Sequence, residues 1–280
     1  MKKFLMLTKR RPITVAASIV LLVMLFFSIF GSITTPFDPY EMKARNRLQP
    51  PNLQNWFGTD NFGRDILSRV IVATRLTLGT SICALIVISF FGILIGSVSG
   101  YHRIAGAVLM RIVDGMMAFP SMLIALFLAS IMGPGFITVL IAVAVVYTPR
   151  LARLVHGITL TIATNTYVSA AKAVGLGEIR ILTRYVILNA LSPIIVQCSF
   201  QLAQIILILA ILDFLGVGFP PDVPSWGNMI ATSRDYITRA PWLLIFPGVA
   251  ISLTVISINI LGDTLRDAFD PHAHEHMRKA

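Results

Sequence analysis

Long apolar runs separated by shorter polar stretches set the pattern of this chain. The first run, residues 13–30, contains no charged residue. Its length corresponds to about 27 Å of helix, close to one bilayer core. A cleaved leader has a shorter apolar run that ends in small residues, so the length predicts a retained first helix at about 13–31. Five further runs predict spans over about 76–99, 112–131, 136–154, 191–215 and 242–261. The third and fourth meet at Gly133-Pro134-Gly135, a combination that stops a helix and permits a tight turn. Six spans place both termini on one side of the membrane.

The polar stretches divide the chain into an N-terminal part (1–69), a helical core (70–262) and a short tail (263–280). In the first, Pro36, Pro39, Pro50 and Pro51 stiffen an outer segment. Gly58 and Gly63 bracket a turn there, and Thr59 or Asp60 is placed to cap the helical pattern that starts at Asp65. That segment reads equally as a lid or docking surface and as a connecting loop. A second outer segment, 216–241, carries Pro220, Pro221, Pro224 and Trp226 and reads as a rigid rim.

The inner segment 155–190 is different. Thr164, Asn165 and Thr166 offer N-cap chemistry, residues 167–174 read as a short helix, and Gly175 is placed to end it. Gly177 opens a second run in which Ile179, Leu182, Val186 and Leu191 form an apolar stripe, with Arg180 and Arg184 opposite. Ala170, Ala171 and Ala173 keep one surface shallow, so that another backbone can approach. A helix lying on lipid would want larger apolar residues. The pattern therefore favours docking against a second protein.

Composition agrees with a membrane class: 56% hydrophobic, 13% charged and a mean hydropathy of +0.80. Of the 23 Lys and Arg residues, 15 fall inside if the N-terminus is cytoplasmic: Lys2, Lys3, Lys9, Arg10, Arg11, Arg103, Arg111, Arg150, Arg153, Lys172, Arg180, Arg184, Arg266, Arg278 and Lys279. Seven (Lys43, Arg45, Arg47, Arg64, Arg69, Arg234 and Arg239) fall outside, and Arg75 sits at a helix end. The bias predicts both termini in the cytoplasm. It also explains the net charge of +10 without nucleic acid, which would need a soluble basic face. Cys83 and Cys198 lie in apolar runs and read as small packing residues. His272, His274 and His276 alternate near the C-terminus, weak grounds for a metal site in a terminal tail.

Several stretches resemble one family, the inner-membrane permease subunits of ATP-binding-cassette importers, in the branch serving dipeptides, oligopeptides and nickel. They are FGTDNFGRDILSR (57–69), MRIVDGMMAFPSMLIAL (110–126), the 165–193 segment, FLGVGFPPDVPSWGNMI (214–230) and the 240–271 stretch that begins APWLLIFPG. The resemblance covers nearly the whole chain. It implies an all-α polytopic membrane protein with six transmembrane helices, the type I importer permease fold, and a cytoplasmic coupling helix seated in an ATPase subunit. The loop residues it marks are Tyr167, Ser169, Ala170, Ala171, Gly175, Leu176 and Gly177. It further implies a second homologous permease subunit in a heterodimer, two ATP-binding subunits that hold ATP and Mg, and an extracytoplasmic substrate-binding protein, in a bacterial inner membrane. Four positions depart from the family pattern: Ser169 stands for a usual Glu, Tyr185 for a His, Leu188 for a Pro and Leu209 for a Glu.

No GxxxxGK[ST] phosphate loop occurs, so energy must come from another chain. HExxH and GxSxG are absent too, and no cofactor is expected in this chain. The expected activity is import of a dipeptide or oligopeptide; a nickel or metal-chelate importer is the alternative within the family. An ion-coupled secondary transporter is the rival outside it, and would need ionisable residues deep in the bilayer. Asp213, flanked by Leu212 and Phe214, is the one carboxylate placed to face a pathway.

Overall fold

A computed structural model describes residues 12–269. The histidines at 272, 274 and 276 and the cations at 2, 3, 9, 10, 11, 278 and 279 lie outside the described residues. Nine helices carry the fold of the described residues: α1 (Pro12–Thr34), α2 (Ile66–Tyr101), α3 (Arg103–Met117), α4 (Ser121–Met132), α5 (Phe136–Ala163), α6 (Thr166–Ala173), α7 (Glu178–Phe214), α8 (Trp226–Ser233) and α9 (Trp242–Phe269). Five of them are long and apolar enough to cross a membrane, or six crossings if the bent pair α3–α4 counts as one. One end of the bundle carries the segments before α2 and after α7 and is called the cap. The other carries α6 and is called the elbow.

The spans differ from the sequence expectation in five places. Helix α2 begins at Ile66 rather than near residue 76. Its first turns are polar (Ser68, Arg69, Thr74), but they are buried in the cap rather than in lipid, so hydropathy alone undercounts them. Its 36 residues make a rod about 54 Å long. The expected straight third span over 112–131 is instead two helices meeting at 85°. Pro120 lacks the N–H that a continuing helix needs, and it pushes Phe119 away from helical geometry. Helix α5 continues to Ala163, past the expected end at 154, with Pro149 buried inside it. Helix α7 runs unbroken from Glu178 through a π-turn at Leu182–Ile187 to Phe214, and α9 extends to Phe269.

Packing follows the small residues. Gly92, Gly96 and Gly100 lie on one face of α2, against α5. A Cβ on Gly96 would stand 2.6 Å from the Ala152 carbonyl oxygen and from Val155 Cβ. The two backbones come so close that only glycine fits. One apolar core lies between α2, α4, α5 and α7, around Ile88, Val143, Leu151, Ile205 and Leu212. A second, nearer the cap, joins α2, α7, α8 and α9 around Ile66, Ile206, Trp226 and Ile251. Both cores share α2 and α7, which makes that pair the spine of the molecule. Helix α1 packs on α2 and α9, with the hydroxyls of Thr14 and Thr264 3.3 Å apart. Its other face leaves Ile13, Leu22, Ile29 and Ile33 exposed, as a lipid-facing span requires.

Candidate functional site

The elbow is built by three chain segments. Helix α6 starts after Asn165, whose carbonyl accepts from Val168 N (3.0 Å) and Ser169 N (3.2 Å). The Asn165 side chain does not cap; its Nδ2 lies 3.4 Å from Tyr167 Oη. At the other end Gly175 takes φ +81° and donates to Lys172 O, while Leu176 N donates to Ala171 O at 3.2 Å. That pair of bonds closes a helix with a left-handed residue, the geometry glycine adopts without a Cβ penalty. Val168 and Ala171 turn inward and pack with Ile181, flanked by Tyr101, Ile162, Leu176 and Tyr185. Lys172 Nζ sits 4.8 Å from the centre of the Tyr101 ring, and His102 Nε2 lies 3.9 Å from Glu178 Oε2. The elbow helix is therefore braced on the last turn of α2 and the first turns of α7.

The opposite face is open. Tyr167, Ser169, Ala170, Gly175 and Gly177 are exposed, as are Val174 and Ile179, each at 81%. These two bare aliphatic side chains rim a shallow patch of alanine and glycine, an exposed apolar surface larger than scattered single residues would make. The structure brings six of the seven marked loop residues to this face or its edge, Leu176 being half-buried, and turns Ala171 into the supporting core. The expected stripe shifts: Ile181, Val186 and Ala190 are the buried positions, whereas Ile179 and Leu191 point outward. Ser169 and Leu188 are exposed, Tyr185 packs under α6, and Leu209 is buried in the larger core. A glutamate at 209 would have no water there.

Next to the elbow, the bent pair is tied to α5. Arg153 Nη2 donates to Asp114 Oδ1, and Arg150 Nη2 donates to Ser121 Oγ at 2.6 Å. Arg150 also lies over the Tyr147 ring, 5.0 Å from its centre.

The cap holds the polar chemistry that the sequence leaves undecided. Asp65, rather than Thr59 or Asp60, caps α2. Its Oδ2 accepts from Ser68 N and Ser68 Oγ, both 2.8 Å, and its Oδ1 from Asn55 Nδ2. Asp60 folds its own turn, accepting from Phe62 N, Arg64 N and Arg64 Nε, all while buried. Arg69 reaches the Pro39 carbonyl at 3.1 Å. Trp242 Nε1 donates to Thr59 O, and the Phe57 ring stacks on Phe246 with centres 3.9 Å apart.

Asp213, expected to face a pathway, lies inside this cap with its carboxylate taken up by hydrogen bonds. Its Oδ1 accepts from Phe219 N (2.8 Å) and its Oδ2 from Ser225 Oγ (2.6 Å), with 3% of the residue exposed. Gly218 and Gly227 press against it so closely that no side chain fits at either. Ser225 Oγ then accepts from Asn228 N to start α8, and Asn228 Nδ2 holds the carbonyls of Pro220 and Val223. Carboxylate, serine and asparagine thus tie the proline-rich rim to the end of α7.

A bundle of long apolar helices with a buried polar cap at one end and an exposed small-residue elbow at the other defines a polytopic membrane protein. A family model described as binding-protein-dependent transport system inner membrane component matches residues 88–275, and one for the N-terminal TM domain of oligopeptide transport permease C matches residues 4–51. The chain is 38% identical over 264 residues to the dipeptide transport system permease protein of Alkalihalophilus pseudofirmus, covering 94% of this chain and 87% of that one. It is 39% identical over 258 residues to the di/tripeptide transport system permease protein of Pseudomonas aeruginosa, covering 90% and 85%. With the glutathione transport system permease protein of Pectobacterium atrosepticum the identity is 37% over 264 residues, covering 94% and 88%. The chain belongs to the family of inner-membrane permease components of binding-protein-dependent transport systems.

Proposed function

We propose that this chain is one half of the membrane channel of an ATP-driven importer of short peptides, paired with a homologous second permease. Two ATP-binding subunits dock at the elbow, where they hold ATP and Mg. An extracytoplasmic binding protein delivers substrate at the cap. The elbow end is then cytoplasmic, in line with the lysine and arginine bias. Peptides are the favoured cargo because the relatives above carry peptide or glutathione names. The nickel alternative draws no support from them.

One observation carries the reading: the exposed, glycine-ended helix α6 is braced by its inner face on both spine helices, α2 and α7. A push on its outer face moves the spine as a body. The ATPase pair acts by favouring one of two packings of the bundle, as a two-state element requires. Ser169 offers no carboxylate to a partner cation, so docking here rests on shape and apolar contact.

Gly175→Leu tests this. A leucine must adopt φ near +81°, which costs about 1–2 kcal/mol, and it places bulk on the docking face. In the reconstituted complex, uptake and substrate-stimulated ATP hydrolysis should fall to background while the subunit still inserts in the membrane. Uptake at the wild-type rate would remove the elbow from the mechanism.

A further inference from the structure

A cavity of about 650 Å³ opens at the cap end between α2, the start of α5 and the two cap segments. Its volume is that of a small-molecule site. Most of the wall is apolar, with Phe136 and Val223 on one side. Its polar groups include Ser32, Thr35 and Tyr40, and four others bear on what it holds. Arg75 stands in the tenth position of α2, exposed in the cavity wall, and makes no hydrogen bond or ion pair with any described residue. The expectation that it marks a helix end is therefore corrected. A guanidinium on a membrane-spanning helix is costly when it faces lipid, and this one faces the cavity. Thr80 lies in the same wall, is 2% exposed, and its hydroxyl has no partner. Its neighbours Thr74 and Ser81 turn theirs back to the carbonyls of Val70 and Thr77. Asp38 supplies a carboxylate, with Oδ1 held by Tyr40 N at 2.9 Å and no ion pair to Arg75. Cys83 lines the wall as an exposed thiol rather than as the packing residue expected.

A buried orphan hydroxyl and an unpaired cation sharing one cavity are the unmet half of a hydrogen-bonded ligand. The separate carboxylate in the same wall decides its class. Lipid phosphate or any simple anion would satisfy Arg75 and be repelled by Asp38. A molecule with both charges satisfies both. We infer that this cavity is a receiving site for a zwitterionic short peptide: Arg75 and Thr80 hold the terminal carboxylate, and Asp38 faces the terminal ammonium. The inference rests on the peptide reading above and adds to it where this subunit meets its cargo.

Cys83 gives a readout at the site itself. The assembled transporter, with Cys198→Ser in this chain, is placed in nanodiscs and alkylated with N-ethylmaleimide, and Cys83 modification is followed by mass spectrometry. Dialanine should slow the reaction several-fold, whereas N-acetyl-dialaninamide and inorganic phosphate should not. Arg75→Gln should need at least about tenfold more dialanine for the same protection, the usual worth of a charge-assisted bond. Asp38→Asn, on an exposed segment, should weaken protection in the same direction and guards against a misfolded Arg75 variant.

Equal protection by the uncharged analogue, by phosphate, or by phosphatidylglycerol over phosphatidylcholine overturns the inference. So does unchanged protection in both variants, and so does a Cys83 that never reacts, which would mean the partner subunit fills the cavity. Dialanine import measured on the same preparation with binding protein and ATP separates the two readings. Import without protection sinks only this site; no import of any peptide sinks the functional proposal and the site with it.

Discussion

Asp213 and Ser225 show how much a single buried pair decides in this molecule. The carboxylate sits at the end of α7 with one oxygen on the Phe219 amide and the other on the Ser225 hydroxyl, and Ser225 in turn starts α8. Removing the hydroxyl leaves a buried acceptor short of a donor and a helix without its cap, a loss of about 1–3 kcal/mol. Ser225→Ala should lower the thermal midpoint of the detergent-solubilised complex, while the folded fraction keeps a wild-type KM for cargo. A changed KM at unchanged stability would return Asp213 to the pathway. From the sequence alone Asp213 is only a carboxylate between two apolar residues; its partners lie 6 and 12 positions onward, across a proline-rich segment whose path no local pattern gives.

At the scale of the elements, hydropathy and glycine placement reveal where helices are, and polar satisfaction reveals where they end. The short elbow helix is legible because its signals are local, alanines along it and Gly175 after it, although the Asn165 side chain does not supply the expected cap. The start of α2 is not, because Arg69 and Thr74 look like loop residues until the cap covers them. The break between α3 and α4 is legible in principle at Phe119-Pro120, but the apolar run around it hides the signal. The close approach of α2 to α5 is beyond reading, since glycines at 92, 96 and 100 carry no hint of their partner helix. Gly96→Val tests that contact. Its side chain would collide with the Ala152 carbonyl and with Val155, and overpacking of this kind costs about 1–3 kcal/mol. The variant should insert but unfold at lower temperature, and a stability equal to wild type would refute the packing described.

For the whole molecule, orientation in the membrane sets the roles of its two ends. A reporter fused after Arg184 should be cytoplasmic and one fused after Gln54 extracytoplasmic, as alkaline phosphatase and fluorescent-protein fusions would show. The reverse pattern would exchange the roles proposed for elbow and cap. Family, helical class and the short glycine-ended elbow helix can be reached from the sequence, because they rest on composition, order and local motifs. The cavity beside Arg75 cannot, because it gathers residues from four separate segments.

Helix α2 touches both of these regions. Its first turns are locked into the cap by Asp65 and Arg69, and its last turn carries Tyr101 beneath the elbow. With no proline along its 36 residues, it is a stiff strut longer than the bilayer is thick. Whatever tilts its foot tilts its head in the same instant, so a displacement at one end of the bundle reaches the other as geometry, without a relay of side chains in between.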